Sequence, residues 1–250
     1  MNHHFHLLAF VVLLTGNLYA SAPKTVDSLL RVLDKEIARA DEYISQREEQ
    51  AETLKTIFQR DPTAEMAFSI AEVYSPYICD SALLYYERAK QLCKGDIPDY
   101  IQIGLENCRL RMYGAESVYE RHYTDLVPPT DTHEYAIYAY EKSETARKAN
   151  NDLERKEWLI RSALADVRSG ITDNASSWML AESVFDEGKG DIERAYRYIQ
   201  YSLANAAIFN ARMRFGQINK VSQIISTAHE QQQEQAAQRL YIILGILVFM

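Results

Sequence analysis

His133 and Glu134 are adjacent, which is how the helical zinc-protease motif His-Glu-x-x-His begins. That motif needs a second histidine one helical turn later, so that two imidazoles project from one face onto the metal. No such histidine follows. Three of the six histidines, His3, His4 and His6, lie at the extreme N-terminus. There is no Gly-x-Ser-x-Gly elbow, no phosphate-binding loop and no Gly-x-Gly-x-x-Gly turn. Acidic pairs such as Glu48-Glu49 read as a solvated charged stripe rather than an acid–base pair. The sequence therefore predicts no catalytic, cofactor-binding or metal site, and a protein that is not an enzyme.

Three cysteines, Cys79, Cys93 and Cys108, match no zinc or redox spacing. On a helix spanning residues 80–92, Cys79 and Cys93 stand at opposite ends, about 20 Å apart, too far to pair. Cys108 falls partway down the next antiparallel helix, near the level of Cys79. The leading expectation is three buried free thiols; if a disulfide forms, it joins Cys79 to Cys108. The 17 tyrosines, together with Trp158 and Trp178, are expected mainly as packing residues. A minority could line a groove and offer amphipathic rings to a sugar or peptide.

The elements that must position these residues are helices. Nine glycines and six prolines in 250 residues are about half the usual combined share, which disfavours a many-stranded fold. The net charge of −8 argues against a nucleic-acid face. Residues 23–61 read as one long amphipathic segment. Leu30, Leu33, Ile37, Ala40, Ile44, Ala51, Leu54 and Phe58 form a seam with three–four spacing, interrupted only by Arg47. The seam serves either a coiled-coil homodimer or packing within the chain.

Residues 62–215 read as helical repeats. A helix over residues 64–74 ends at Ser75-Pro76, and a second covers residues 80–92 with Asp80 as its N-cap. Ala82, Tyr86 and Ala89 give the small–aromatic–small register of a tetratricopeptide second helix, where small residues admit a neighbouring helix and the ring fills the hole between them. The register returns at Lys156, Ile160 and Ala163, and again at Ala195, Ile199 and Ser202. The first interval spans two repeats, so a divergent unit is expected near residues 98–123. Pro128-Pro129 marks the clearest loop, with Thr130, Asp131 or Thr132 capping the next helix. The expected fold is all-α: an antiparallel helix-pair solenoid preceded by a long amphipathic helix and followed by a membrane-entering helix.

Both termini are apolar. Residues 5–14 and the small residues Ala20, Ser21 and Ala22 predict a signal peptide over residues 1–22, with cleavage after Ala20 or after Ala22; an uncleaved anchor is the alternative. Residues 216–239 read as a juxtamembrane helix with Gly216 as its weak point. Residues 240–250 read as the start of a truncated transmembrane helix, since eleven residues give only about 16 Å of the roughly 30 Å needed; the alternative is an apolar C-terminal core helix.

Three stretches carry a family resemblance: Asp27-Ser-Leu-Leu-Arg-Val-Leu-Asp34, Tyr74-Ser-Pro-Tyr-Ile-Cys-Asp-Ser-Ala-Leu-Leu-Tyr-Tyr86 and Phe209-Asn-Ala-Arg-Met-Arg214. Through them the chain resembles bacterial single-span membrane regulators of the starch-utilisation-regulator type, with periplasmic tetratricopeptide-like repeats, one transmembrane helix and a cytoplasmic domain of unknown function. That last domain is missing here. The resemblance implies a sensor in the bacterial inner membrane with its repeats in the periplasm. Its groove would bind a peptide, a glycan or a protein partner. The alternative is a membrane-anchored scaffold without switching.

Overall fold

The structure is a computed structural model that describes residues 24–113, 127–210 and 212–249. The expected signal peptide and the second half of the expected divergent unit lie outside these residues. Ten α-helices are described: α1 (Lys24–Ile37), α2 (Ala40–Arg60), α3 (Ala64–Tyr74), α4 (Cys79–Leu92), α5 (Asp99–Tyr113), α6 (His133–Lys148), α7 (Asp152–Arg168), α8 (Ala175–Phe185), α9 (Ile192–Phe209) and α10 (Arg212–Phe249). Among the described residues there is no strand.

Helix starts follow short polar side chains. Thr63, Thr132, Asn151, Asn174 and Asp191 each accept a hydrogen bond from a backbone N–H in the first turn of the helix that follows. The start of α4 departs from this pattern and from the sequence expectation. Its N-cap is Ile78, with no side-chain cap. Asp80 lies inside the helix and accepts a 2.8 Å hydrogen bond from the Asn210 amide.

The segment 23–61 is not one helix. The chain turns at Ala38–Arg39; α1 and the start of α2, at Ala40 and Tyr43, serve one core, and α2 from Ile44 onward serves another. Val26, Leu30 and Leu33 of α1 are buried among α7, α8, α9 and α10. Ala51 of α2 is buried with α3, α4 and α5, and Leu54 and Phe58 pack against the same cluster. The apolar seam is thus largely consumed within the chain. The two cores meet where Phe209, at the end of α9, enters the α3–α5 cluster and is 1% exposed.

Consecutive helices pack as antiparallel neighbours: α3 on α4, α4 on α5, α6 on α7, α8 on α9 and α9 on α10. Ala82, Tyr86, Ala89, Ile160, Ala163, Ala195 and Ile199 are all fully buried at these interfaces. Lys156, which takes the first small position of its repeat, is only partly buried. Tyr86 packs so closely on α5 that a Cβ built on Gly104 would lie 2.4 Å from its ring. Gly170, at φ +63° just after α7, meets the backbone of α2 at Tyr43, where any side chain would collide.

The C-terminal path also departs from expectation. The break falls at Asn210, in the left-handed region at φ 61°, and Gly216 lies inside an unbroken α10. The chain therefore reverses at Asn210. The first part of α10 returns along α9, burying Ile218 and Ile225. The last contacts are made by His229, whose ring stacks on Tyr196 at 4.0 Å and whose Nε2 lies 2.9 Å from Glu193 Oε2. Every side chain of residues 230–244 is then exposed, as are Ile246, Leu247 and Val248. Among the described residues no helix is long and apolar enough to cross a membrane.

Candidate binding clefts

Two depressions flank the repeat helices. The first, of about 450 Å³, is polar and lies between the N-terminal helices and α6. Arg47, Glu72, Arg111, Asp131, Glu134 and Glu141 contribute its charged groups, and His133 adds an imidazole. Most of these charges are already engaged. Arg47 donates from Nε to the Val73 carbonyl at 3.0 Å and from Nη1 to the Ser169 carbonyl at 2.9 Å. It thereby satisfies carbonyls at the C-terminal ends of α3 and α7, where the helix dipole favours a cation. Burial lowers its pKa, and the carboxylates of Asp166 and Glu134 oppose that shift.

Arg111 donates to the Ser75 carbonyl at 3.2 Å, and Glu72 accepts a short hydrogen bond from the Tyr86 hydroxyl. His133 Nδ1 lies 2.8 Å from Asp166 Oδ1, a pair that ties α6 to α7. The His133-Glu134 dipeptide is therefore half structural: the imidazole is held by Asp166 while Glu134 stays exposed. Among the described residues no cluster of His, Cys, Asp and Glu is arranged to hold a metal ion. This cleft can offer carboxylates and guanidinium edges to a polar ligand.

The second depression, of about 970 Å³, is a more apolar groove between the start of α7, the end of α8 and α10. Leu153, Met179, Phe185, Val221, Ile224 and Ile225 line it. Leu153 and Ile224 are 47% and 55% exposed. Its rim carries Asp152, Arg155, Lys156, Glu182, Asp186 and Glu187. Burial lowers the pKa of Lys156, while Asp186 and Asp152 pull it back up. An apolar floor with a charged rim suits an amphipathic segment, with apolar side chains inward and polar ones at the edge.

Among the described residues, no tyrosine or tryptophan lines either depression. Tyr74, Tyr77, Tyr86, Tyr135 and Tyr198 are buried in the packing. Trp158 sits edge-on to Tyr138, with ring centroids 6.0 Å apart. Cys79, Cys93 and Cys108 are all free thiols, with Cys79 and Cys108 neighbours across the α4–α5 interface. Reading the sequence identified neither cleft. The one available signal was Arg47, a single cation within an apolar seam.

Helix hairpins with buried small and large residues in this register place the described part of the chain among all-helical, tetratricopeptide-like folds. Comparison with known proteins narrows the class. The family described as the SusR N-terminal TPR domain matches residues 100–220, from α5 into the first half of α10. Over that span the chain is similar to a SusR-type tetratricopeptide domain, a non-catalytic fold that commonly mediates protein–protein interaction. No curated protein and no solved structure matches the chain.

Proposed function

We propose that this chain is the partner-binding part of a membrane-anchored bacterial regulator. Its repeats stand in the periplasm and take a peptide, a glycan or a protein partner, and its last helix joins them to the inner membrane. The observation that carries this reading is the division of labour within α10. Its first half lines the apolar groove with Val221, Ile224 and Ile225 and packs on α9. Its second half leaves the body and ends in exposed Leu240, Tyr241, Ile242, Ile243, Leu244, Ile246, Leu247 and Val248. One rigid rod of roughly 57 Å thus joins a groove wall to an apolar tip. A partner that shifts the groove wall shifts the tip. The similarity to a SusR-type domain supports the regulator assignment.

The test is thermal-shift screening of the full chain against soluble starch oligosaccharides and amphipathic peptides, followed by hydrogen exchange of residues 216–239. The reading expects a ligand that raises Tm. Its effect should be lost in Ile224→Asp if the apolar groove binds it, or in Glu141→Gln if the polar cleft does. Exchange in α10 should change on binding. A ligand indifferent to both substitutions contradicts the site. A ligand that binds there but leaves α10 exchange untouched favours the static scaffold.

A further inference from the structure

The start of α4 meets the middle of the antiparallel α5, and this brings two thiols together. Cys79 is 1% exposed and Cys108 is fully buried. The Cys79 Sγ lies 3.5 Å from the Cys108 carbonyl oxygen, which places the two residues side by side across the interface. The same interface seats the Tyr86 ring against Gly104, so the two helices approach as closely as a glycine permits. Cys93, at the other end of α4, is partly exposed, and its thiol donates to the Ala89 carbonyl of α4 at 3.4 Å.

We propose that Cys79 and Cys108 form a disulfide that staples α4 to α5 whenever the chain folds under oxidising conditions. The oxidant is a donor disulfide, such as oxidised glutathione or an exposed protein disulfide. Before α5 docks, both thiols are accessible and either can attack first as its thiolate; the steps below take Cys108 as the first nucleophile. The Cys108 thiolate attacks one donor sulfur, forms a mixed disulfide and expels the first donor thiol. Cys79 then loses its proton and attacks the Cys108 sulfur, expelling the second. The two cysteines give up two electrons and two protons, and the donor disulfide is reduced to two thiols. Both sulfurs are buried in the finished fold, so the exchange precedes the docking of α5 on α4. The bond closes a loop between positions 29 residues apart and removes disorder from the unfolded chain.

The three cysteines fall on three different tryptic peptides, residues 61–88, 91–94 and 95–109. The experiment refolds the reduced full chain in a mixture of reduced and oxidised glutathione. Free thiols are then alkylated, and the protein is digested without reduction for mass spectrometry. The proposal expects peptides 61–88 and 95–109 joined, with the alkyl group on Cys93 alone. Reducing the product should lower Tm by about 7–14 °C. In Cys79→Ser both the cross-link and the Tm difference should vanish. Alkylation at all three cysteines, or a cross-link that includes peptide 91–94, overturns it. This outcome does not depend on the binding reading above, because it concerns only the α4–α5 interface.

Discussion

Arg47 shows how one side chain can hold two halves of a fold together. It departs from α2 and donates to carbonyls at the ends of both α3 and α7, which are 26 and 122 residues away in sequence. Arg47→Met would leave those carbonyls unpaired beneath the polar cleft. We expect a loss of about 2–4 kcal/mol in urea denaturation. Arg47→Lys should recover only part of this, since an ammonium cannot reproduce the guanidinium fork. A larger recovery would show that charge, not geometry, is what α2 supplies. Gly104 belongs to the same scale. Gly104→Ala pushes a methyl group into the Tyr86 ring and should cost about 1–3 kcal/mol. Combining it with Tyr86→Leu should cost less than the sum of the two changes, because the collision is then relieved.

The buried phenols give a pH prediction with a definite sign. Burial raises the pKa of Tyr86, and so does Glu72, which accepts its hydroxyl. Burial raises Tyr198 likewise, and so does Asp34. A phenol raised in the folded state contributes stability that is present below its unfolded value near 10 and is lost as pH climbs towards the folded value. Stability should therefore fall above about pH 10, and tyrosinate absorbance should rise together with unfolding. Ordinary titration of Tyr86 and Tyr198 in a fully folded chain, read as the loss of absorbance change in Tyr86→Phe and Tyr198→Phe, would refute the assigned burial.

At the scale of elements, the residues of the expected repeat register follow local rules, and all but Lys156 are buried. Ala82, Tyr86 and Ala89 mark a helix that must admit a close neighbour, and the same spacing recurs at Ile160 and Ala163 and at Ala195 and Ile199. A cap was readable as one of Thr130, Asp131 and Thr132 beside Pro128-Pro129, and Thr132 fills it. Boundaries that depend on tertiary contact were not readable. The seam of residues 27–60 keeps its period through Ala38 and Arg39, yet the chain bends there because its two halves bury against different cores. Asp80 has the type of an N-cap, but Asn210, from 130 residues further along, claims its carboxylate. Gly216 looked like the break; Asn210 makes it instead by adopting the left-handed turn that Asn tolerates. Thr132→Ala should cost about 1 kcal/mol through the lost cap on α6, measured by thermal denaturation. An unchanged Tm would mean that packing on α7 alone holds the start of α6.

At the scale of the molecule, two large cores joined by Phe209, Arg47 and α2 carry one helix that outruns them. The clefts could not be read from the sequence, because each is lined by residues from at least three helices that only the tertiary arrangement brings together. The exposed tip of α10 could be read, because an unbroken apolar run announces itself without tertiary context. The reading of the whole depends on that tip engaging a bilayer. The direct measurement is flotation of the purified full chain with phosphatidylethanolamine–phosphatidylglycerol vesicles, compared with the double variant Ile242→Asp and Leu247→Asp. Each added charge opposes entry into the hydrocarbon by about 2.5–3.5 kcal/mol, and both positions lie outside the packed body. The account predicts that the parent chain floats with the vesicles and that the variant, with an unchanged Tm, floats markedly less. Equal flotation of the two, or no flotation of the parent, would contradict it.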